Sequence, residues 1–370
     1  MGAHDRPKQA ASRGRLVIWE ECARDGAQAK TIMSGSERAL IARETGGIFG
    51  SEGPSQVIFA AGFPAIGPEE VQAMRVLAES VDNCSLASHG RATRHDIDLG
   101  RTALRDAAHP RITFWIPASD ELAHALGMAS RAQALQRGLD CLAYALDTCG
   151  GIPIDVALSG ADANDPQYVA DAVVGVHLHN DLGFALANIM ESVAQGVRVV
   201  ASSWMGLGER NGLAATEQVV VALSGVVCSV KSAVGEPVDL WEQPPDLHRV
   251  VPIAANVSRI TGVPLKVTDP ICGTGVNSIS TGTPFLDRGV FRPFDPMAVL
   301  GVEPRIEITQ LASKRVLQAV VAQHGIALTD GELDAALRWV KSVAYERNEP
   351  IIDKVELFAF LGRNEGGGSR

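Results

Sequence analysis

From Leu16 to Leu223 short β-branched and apolar runs alternate with segments whose apolar positions recur at helical spacing. The runs are RLVIWEEC, QVIFAAGF, NCSLASHG, RITFWIPAS, IDVALSGA, VGVHLHND and VRVVASSWMG; SERALIARE, GPEEVQAMRVLAESV and ALANIMESVAQG are among the helical segments between them. Strands that are apolar along their length and joined by helices specify a parallel sheet covered on its outer face. Ser36 and the pair Gly67-Pro68 stand where helix-start signals belong, and Ser119-Asp120 is placed to cap the helix after the fourth run. Polar residues gather just beyond the strand ends, at Arg24, Asp25, Arg91, Asp120, Asp162, His179 and Glu209. That is the distribution of a (β/α) barrel, whose chemistry sits on the loops after the strands. A doubly wound open sheet is the alternative, but no Gly-rich phosphate fingerprint follows the first strand.

The strand count is seven, one short of a full barrel. Only about 15 residues separate Asp162 from His177, whereas a strand-to-strand crossover unit takes roughly 30. The sequence therefore predicts a TIM-type barrel lacking one βα unit, with DPQYVADAV as a short crossover helix that brings IDVALSGA close to VGVHLHND. Beyond Leu223 the texture changes to Pro-rich GEPVDLWEQPP, helical DLHRVVPIAANVSRITG, Gly/Ser/Thr-rich ICGTGVNSISTGTP and two further helical stretches. The expected organisation is a disordered arm over 1–14, a barrel over 15–225, a C-terminal α-rich linker and helical subdomain over 226–362, and a disordered tail over 363–370.

Composition narrows the partners. With 33 Lys and Arg against 43 Asp and Glu in 370 residues the net charge is -10, which argues against a nucleic-acid binder. The six cysteines form no CxxC pair and the polar start carries no hydrophobic signal region, which fits a cytoplasmic protein without disulfides or a thiolate zinc site. The most apolar stretch, Val219 to Val230, is interrupted by Ser224 and Gly225 and is too short to cross a bilayer.

The candidate chemistry centres on His177 and His179, two apart on a strand and so on one face, and on Arg24-Asp25-Gly26 after the first strand. Two imidazoles and a carboxylate suit a divalent metal with open positions for substrate oxygens; the same residues also suit a structural His pair and a surface salt bridge. In SHGRATRHDID, His89 and His95 fall at the end of the third strand and the start of its helix, where His89 is placed as a loop imidazole titrating near neutrality and available for acid-base work or substrate contact. Glu209 is placed as a partner of Arg210 or of a metal-ligand histidine.

Four ordered motifs, ARDGAQ, AGFPAIGPEE, HLHNDLGFALAN and GLGERNGLAATEQVVVAL, resemble those of the DRE-TIM metallolyase family, which includes the 2-isopropylmalate, homocitrate and Re-citrate synthases and the hydroxymethylglutaryl-CoA lyases. The resemblance implies a divalent metal (Mg, Mn or Zn) held by Asp25, His177 and His179, with Arg24 polarising the keto or enolate oxygen and Gln28 lining the pocket. It implies acetyl-CoA as co-substrate and a Claisen condensation with a small-molecule 2-oxo acid. The long C-terminal region is similar to the synthase branch, whose linker subdomains cover the barrel mouth of a partner subunit, so a homodimer is expected.

Departures from the family pattern fall in the substrate half of the site. Leu213 stands for an Asn beside the metal, Ala60 for a second-strand Glu, Ala161-Asp162 for an acidic pair, Pro284 for a linker His and Phe291 for a neighbouring Tyr. A Thr of the missing unit that contacts the oxo-acid carboxylate has no counterpart. VNSISTGTPF resembles the Re-citrate, phosphinomethylmalate and phosphonomethylmalate synthases, which implies a dianionic oxo acid such as oxaloacetate, phosphonopyruvate or phosphinopyruvate. The added charge needs donors, and Arg91, Arg94, Ser278, Ser280, Thr281 and Arg292 are the candidates, with Glu209 and His89 beside Arg24 as catalytic groups. Carbon-carbon cleavage of the hydroxymethylglutaryl-CoA lyase type and a non-catalytic relative stay open as alternatives.

Overall fold

The structure is a computed structural model that describes residues 15–28, 30–160, 175–226, 240–280 and 292–362. The predicted arm over 1–14, the tail over 363–370 and the crossover DPQYVADAV lie outside the described residues. Internal contacts divide the chain into two units, Met1–Leu265 and Lys266–Arg370.

All seven predicted runs appear as strands of one parallel sheet in the first unit: β1 Val17–Glu20, β2 Val57–Gly62, β3 Ser85–Arg91, β4 Pro110–Pro117, β5 Ile154–Ser159, β6 Gly175–Val176 and β7 Val199–Ser202. Their order is β5-β4-β3-β2-β1-β7-β6, the winding of a TIM-type barrel. The expectation that the fifth and sixth strands draw together is corrected. β5 and β6 are the two ends of the sheet, and no ladder joins them among the described residues. Strand number, tilt and register are linked in a barrel, so a sheet that loses one strand stays open more readily than it re-closes on a smaller radius. Burial follows position: every residue of central β2 is buried, whereas no residue of terminal β5 is.

The helices begin where local chemistry requires. Helix α1, Gly35–Gly47, is capped by Ser34 rather than by the predicted Ser36, because Ser34 and Glu37 form a reciprocal capping box. A single turn, α2 Gly53–Gln56, leads into β2. Gly67 and Pro68 open α3, Pro68–Ser80, as expected. Thr93 caps α4, Arg94–Ala103, and Ser119 caps α5, Asp120–Ala125, as its position after β4 indicates. Helix α6, Arg131–Thr148, precedes β5; α7, Ala185–Ala194, lies between β6 and β7, and α8, Thr216–Leu223, follows β7.

The first unit extends past the predicted boundary at residue 225. Helix α9, Val250–Thr261, joins α1 through an Asn256 Nδ2 to Glu44 Oε1 hydrogen bond of 2.8 Å, and Trp241 stacks on Phe49 at 5.1 Å while its Nε1 donates to Leu223 O. These contacts make Leu240–Leu265 part of the barrel's packing. The second unit holds two two-stranded pairs and the helices Pro296–Leu300, Lys314–Gln323, Asp330–Arg347 and Lys354–Phe360 around its own core of Val316, Leu317, Val320, Leu333, Ala336, Val340 and Leu357. Cys22, Cys84, Cys141 and Cys149 are free and buried, and Cys272 is buried. Among the described residues no helix is long and apolar enough to cross a membrane.

Candidate metal centre

The turn after β1 supplies the first half of the site. Glu21 O accepts from both Arg24 N and Gly26 N, at 3.0 and 2.9 Å, so the chain coils back on itself as it leaves the strand. Gly26 is needed there, since a Cβ would lie 2.5 Å from Cys22 O. The coil holds Asp25 nearly buried, at 3% exposure, with Oδ1 accepting from Gln28 Nε2 at 2.9 Å and Oδ2 from Glu209 N at 3.4 Å.

The other half comes from β6. Strand β7 lies between β6 and β1 and runs parallel to both, so the segments leaving β1 and β6 emerge on the same side of the sheet. Regular strand ends at Val176, and His179 is held instead by an isolated antiparallel bridge to Leu213, with Asn180 N donating to Gly212 O at 2.8 Å. The two imidazoles still share a face, 5.2 Å apart between centroids. One ligand atom from each of Asp25, His177 and His179 lies within 4.8 Å of the others.

These residues fit a divalent cation. The donor set is nitrogen and oxygen without sulfur, and His179 Nδ1 is buried with no hydrogen-bond partner among the described residues, an orphaned polar atom beside the cluster. Leu213, wholly buried and bridged to His179, adds no polar side chain beside the ligands.

Glu21 stands at the centre of the observed site, although no motif singles it out; its signal is the acidic doublet Glu20-Glu21 closing the first strand. Glu21, 1% exposed, pairs with Arg24 Nε at 2.6 Å and lies 3.5 Å from His177 Nδ1. Burial works against its charge, but Arg24 and His177 overcome it and hold the carboxyl well below the usual range. Glu20, on the opposite strand face and fully buried, accepts from Cys22 N and Trp204 N; burial pushes it up to about 8. Arg24 keeps its terminal Nη groups free of protein partners among the described residues.

His89 departs from its expected setting. It is a member of β3, not a loop residue, and burial, followed by the nearby Arg24 charge, pushes its pKa down to about 3. It is therefore a neutral imidazole at physiological pH, with Nδ1 buried and unpartnered. His95 is an exposed residue of α4. Arg91 is clamped by Asp96 through Nε and Nη2, at 2.9 and 3.1 Å, and Arg94 lies 4.9 Å from the Tyr144 ring. Arg210 takes Asp181 as its close partner, at 3.0 and 3.1 Å, with Glu209 further away at 3.7 Å. Ser278, Ser280 and Arg292 belong to the second unit, where Ser278 Oγ donates to Glu307 Oε1 at 3.5 Å. Thr281, Ala161, Asp162, Pro284 and Phe291 lie outside the described residues.

A parallel barrel sheet with two histidines and an aspartate at one mouth defines a TIM-type metalloenzyme scaffold. The HMGL-like family model matches residues 165–250. Similar proteins include the 2-isopropylmalate synthase of Dictyoglomus turgidum, 26% identical over 391 aligned positions that cover 92% of this chain and 73% of that protein. The 2-isopropylmalate synthase 1 of Caldanaerobacter subterraneus subsp. tengcongensis is 24% identical, covering 92% of this chain and 93% of its own. The hydroxymethylglutaryl-CoA lyase of Pseudomonas aeruginosa shares the fold, with a TM-score of 0.50 at 16% identity over 68% of this chain and 94% of that one. Over about nine-tenths of its length the chain is thus similar to 2-isopropylmalate synthases, and it is an enzyme.

Proposed function

We propose that this protein is a metal-dependent acyltransferase that condenses acetyl-CoA with a 2-oxo acid, and that the acceptor is a dianionic one such as phosphinopyruvate, phosphonopyruvate or oxaloacetate. The observation that carries the reading is the convergence of Asp25, His177 and His179 beside the unpaired Nη groups of Arg24. A divalent Mg, Mn or Zn ion held by those three residues supplies Lewis acidity for the 2-oxo acid.

The protein's own residues do the rest. Arg24 directs its guanidinium donors at the oxyanion that develops as the carbonyl accepts the acetyl carbon, where preorganised charge counts most. Gln28 holds Asp25 in place and lines the same pocket. His89, kept neutral, is a hydrogen-bonding partner for substrate through its unpaired Nδ1, and Glu209, half exposed beside Arg210, is the candidate for taking the methyl proton of acetyl-CoA. The new carbon-carbon bond joins that methyl carbon to the keto carbon, and water then hydrolyses the thioester to release CoA. The second acceptor anion meets Arg91, whose Nη1 is unpaired among the described residues. A homodimer completes this reading.

The test is free-CoA release and product mass from the metal-loaded protein given acetyl-CoA and a panel of 2-oxo acids. Turnover with a phosphorus-bearing or dicarboxylic acceptor supports the proposal. Cleavage of hydroxymethylglutaryl-CoA by a sedimenting monomer would replace it with a lyase, and inertness in both assays would leave a non-catalytic relative.

A further inference from the structure

We infer that Glu21 is a positioning residue of the metal centre, fixing the tautomer of His177 and the attitude of Arg24 with one carboxylate; this rests on the metal reading proposed above. A buried carboxylate is retained at low cost only when its lone pairs are paired. Glu21 has two such partners and both belong to the site: Arg24 Nε at 2.6 Å on one oxygen and His177 Nδ1 at 3.5 Å on the other. The carboxylate cannot drift, because its backbone is fixed at both ends. Glu21 N donates to Ser202 O of β7, and its carbonyl receives the two N–H groups of the Arg24–Gly26 coil.

A carboxylate facing Nδ1 favours the tautomer that carries the proton there, which leaves Nε2 as the lone pair offered to a cation. His179 has no equivalent partner, its buried Nδ1 being unpaired. Glu21 thus acts on one imidazole of the pair, and the two ligands are not equivalent. The same carboxylate occupies Arg24 Nε and so leaves only the Nη groups for substrate.

The experiment uses the full-length metal-free protein, titrated with Mn²⁺ and with Zn²⁺ by calorimetry, alongside nitrogen-15 spectra of the imidazoles with His177 assigned by a His177→Gln variant. Glu21→Gln keeps the side-chain volume and is expected to bind each cation roughly 10- to 100-fold more weakly, the usual penalty for removing a carboxylate behind a ligand histidine. In the spectra the Nδ1-protonated form of His177 should dominate the parent and lose that dominance in the variant. A residue needed only for folding would lower Tm and leave tautomer and affinity unchanged in the folded fraction. If Glu21→Gln leaves Arg24 too poorly compensated to fold, Glu21→Gln combined with Arg24→Gln removes both charges, and the same weakened affinity and tautomer shift are expected. Affinity within twofold of the parent together with an unchanged His177 tautomer overturns the inference. Should the parent bind neither cation, the metal reading fails, while the tautomer measurement on metal-free protein still decides the role of Glu21.

Discussion

Gly208 lies directly against the carboxylate of Asp25: a Cβ on Gly208 would sit 2.8 Å from Asp25 Oδ2 and 3.0 Å from Gly212 Cα. Glycine at 208 therefore shapes the space in which the carboxylate rests. In Gly208→Ala either the loop or Asp25 must move, and the carboxylate is the easier to displace. The expected result is Mn²⁺ affinity lowered about tenfold, a ligand-displacement effect of the size seen when groups supporting a metal ligand are lost. Calorimetry on the metal-free variant checks it, and unchanged affinity in a folded protein would show that the loop yields instead.

The two histidines are the harder test of the centre. His177→Ala combined with His179→Ala leaves Asp25 as the remaining member of the cluster, and one carboxylate does not hold a divalent ion at micromolar concentration. Metal content by mass spectrometry should fall to background, and CoA release with it. Full activity in the double variant would remove the metal assignment.

Glu20 gives a pH signature. Burial raises its pKa from 4.5 to about 8. Between those values the folded chain binds a proton that the unfolded chain has released, so this group's contribution to stability falls as pH rises through that window. Glu20→Gln, neutral at every pH, removes the effect. Melting temperatures from pH 5 to 8.5 should decline more steeply for the parent than for the variant; parallel curves would mean that Glu20 ionises as it does in water.

Much of the barrel was legible because its signals are local. The apolar runs, Gly67-Pro68 and Ser119 each act within a few residues of their own position, and all seven strands form where the pattern places them. Asp25, His177 and His179 were legible because their motifs lie at strand ends that a parallel sheet brings to one side. The setting of His89 was not, since its basicity depends on burial and on Arg24, which comes from another strand. Glu21 was hidden for the same reason: an acidic residue at a strand end reads as solvent-facing until a histidine about 150 positions away closes over it. The relation of β5 to β6 is not legible from their short separation, because in the winding of a barrel the place of the lacking strand falls between them and leaves them as the two ends of the sheet.

Asp96 is nearly buried at 3% exposure and accepts from Arg91 N, Arg91 Nε and Nη2, and the Thr93 hydroxyl. Burial opposes its ionisation, but the Arg91 and Thr93 donors prevail and lower its pKa below 3.8. Its contribution to stability is present above the unfolded value and is lost as pH falls through the depressed folded one. Asp96→Ala should cost about 2 kcal/mol at pH 7, the scale for stripping charged hydrogen bonds from a buried cap. The deficit should shrink by pH 3, as urea midpoints at the two values would report. An equal deficit at both would assign the loss to packing.

On α6, Leu135, Leu139, Leu142 and Leu146 follow one another at helical spacing and fall on one face, with Leu135, Leu139 and Leu146 at 40%, 50% and 66% exposure. The other flank of the helix is engaged: the Tyr144 hydroxyl donates to Asp98 of α4, and Arg137 Nε to Ala92 O. The neighbouring strand β5 is terminal in the sheet, and its Val156 is 41% exposed. A stripe of this kind promotes association without adding to the stability of the fold. Leu139→Glu and Leu146→Glu should therefore leave stability within about 0.5 kcal/mol of the parent, as surface changes do, while raising the temperature at which light scattering begins. A cost of several kcal/mol for Leu139→Glu, as for a core leucine, would mean that this flank is covered in solution and that the barrel's open side is closed by other parts of the protein.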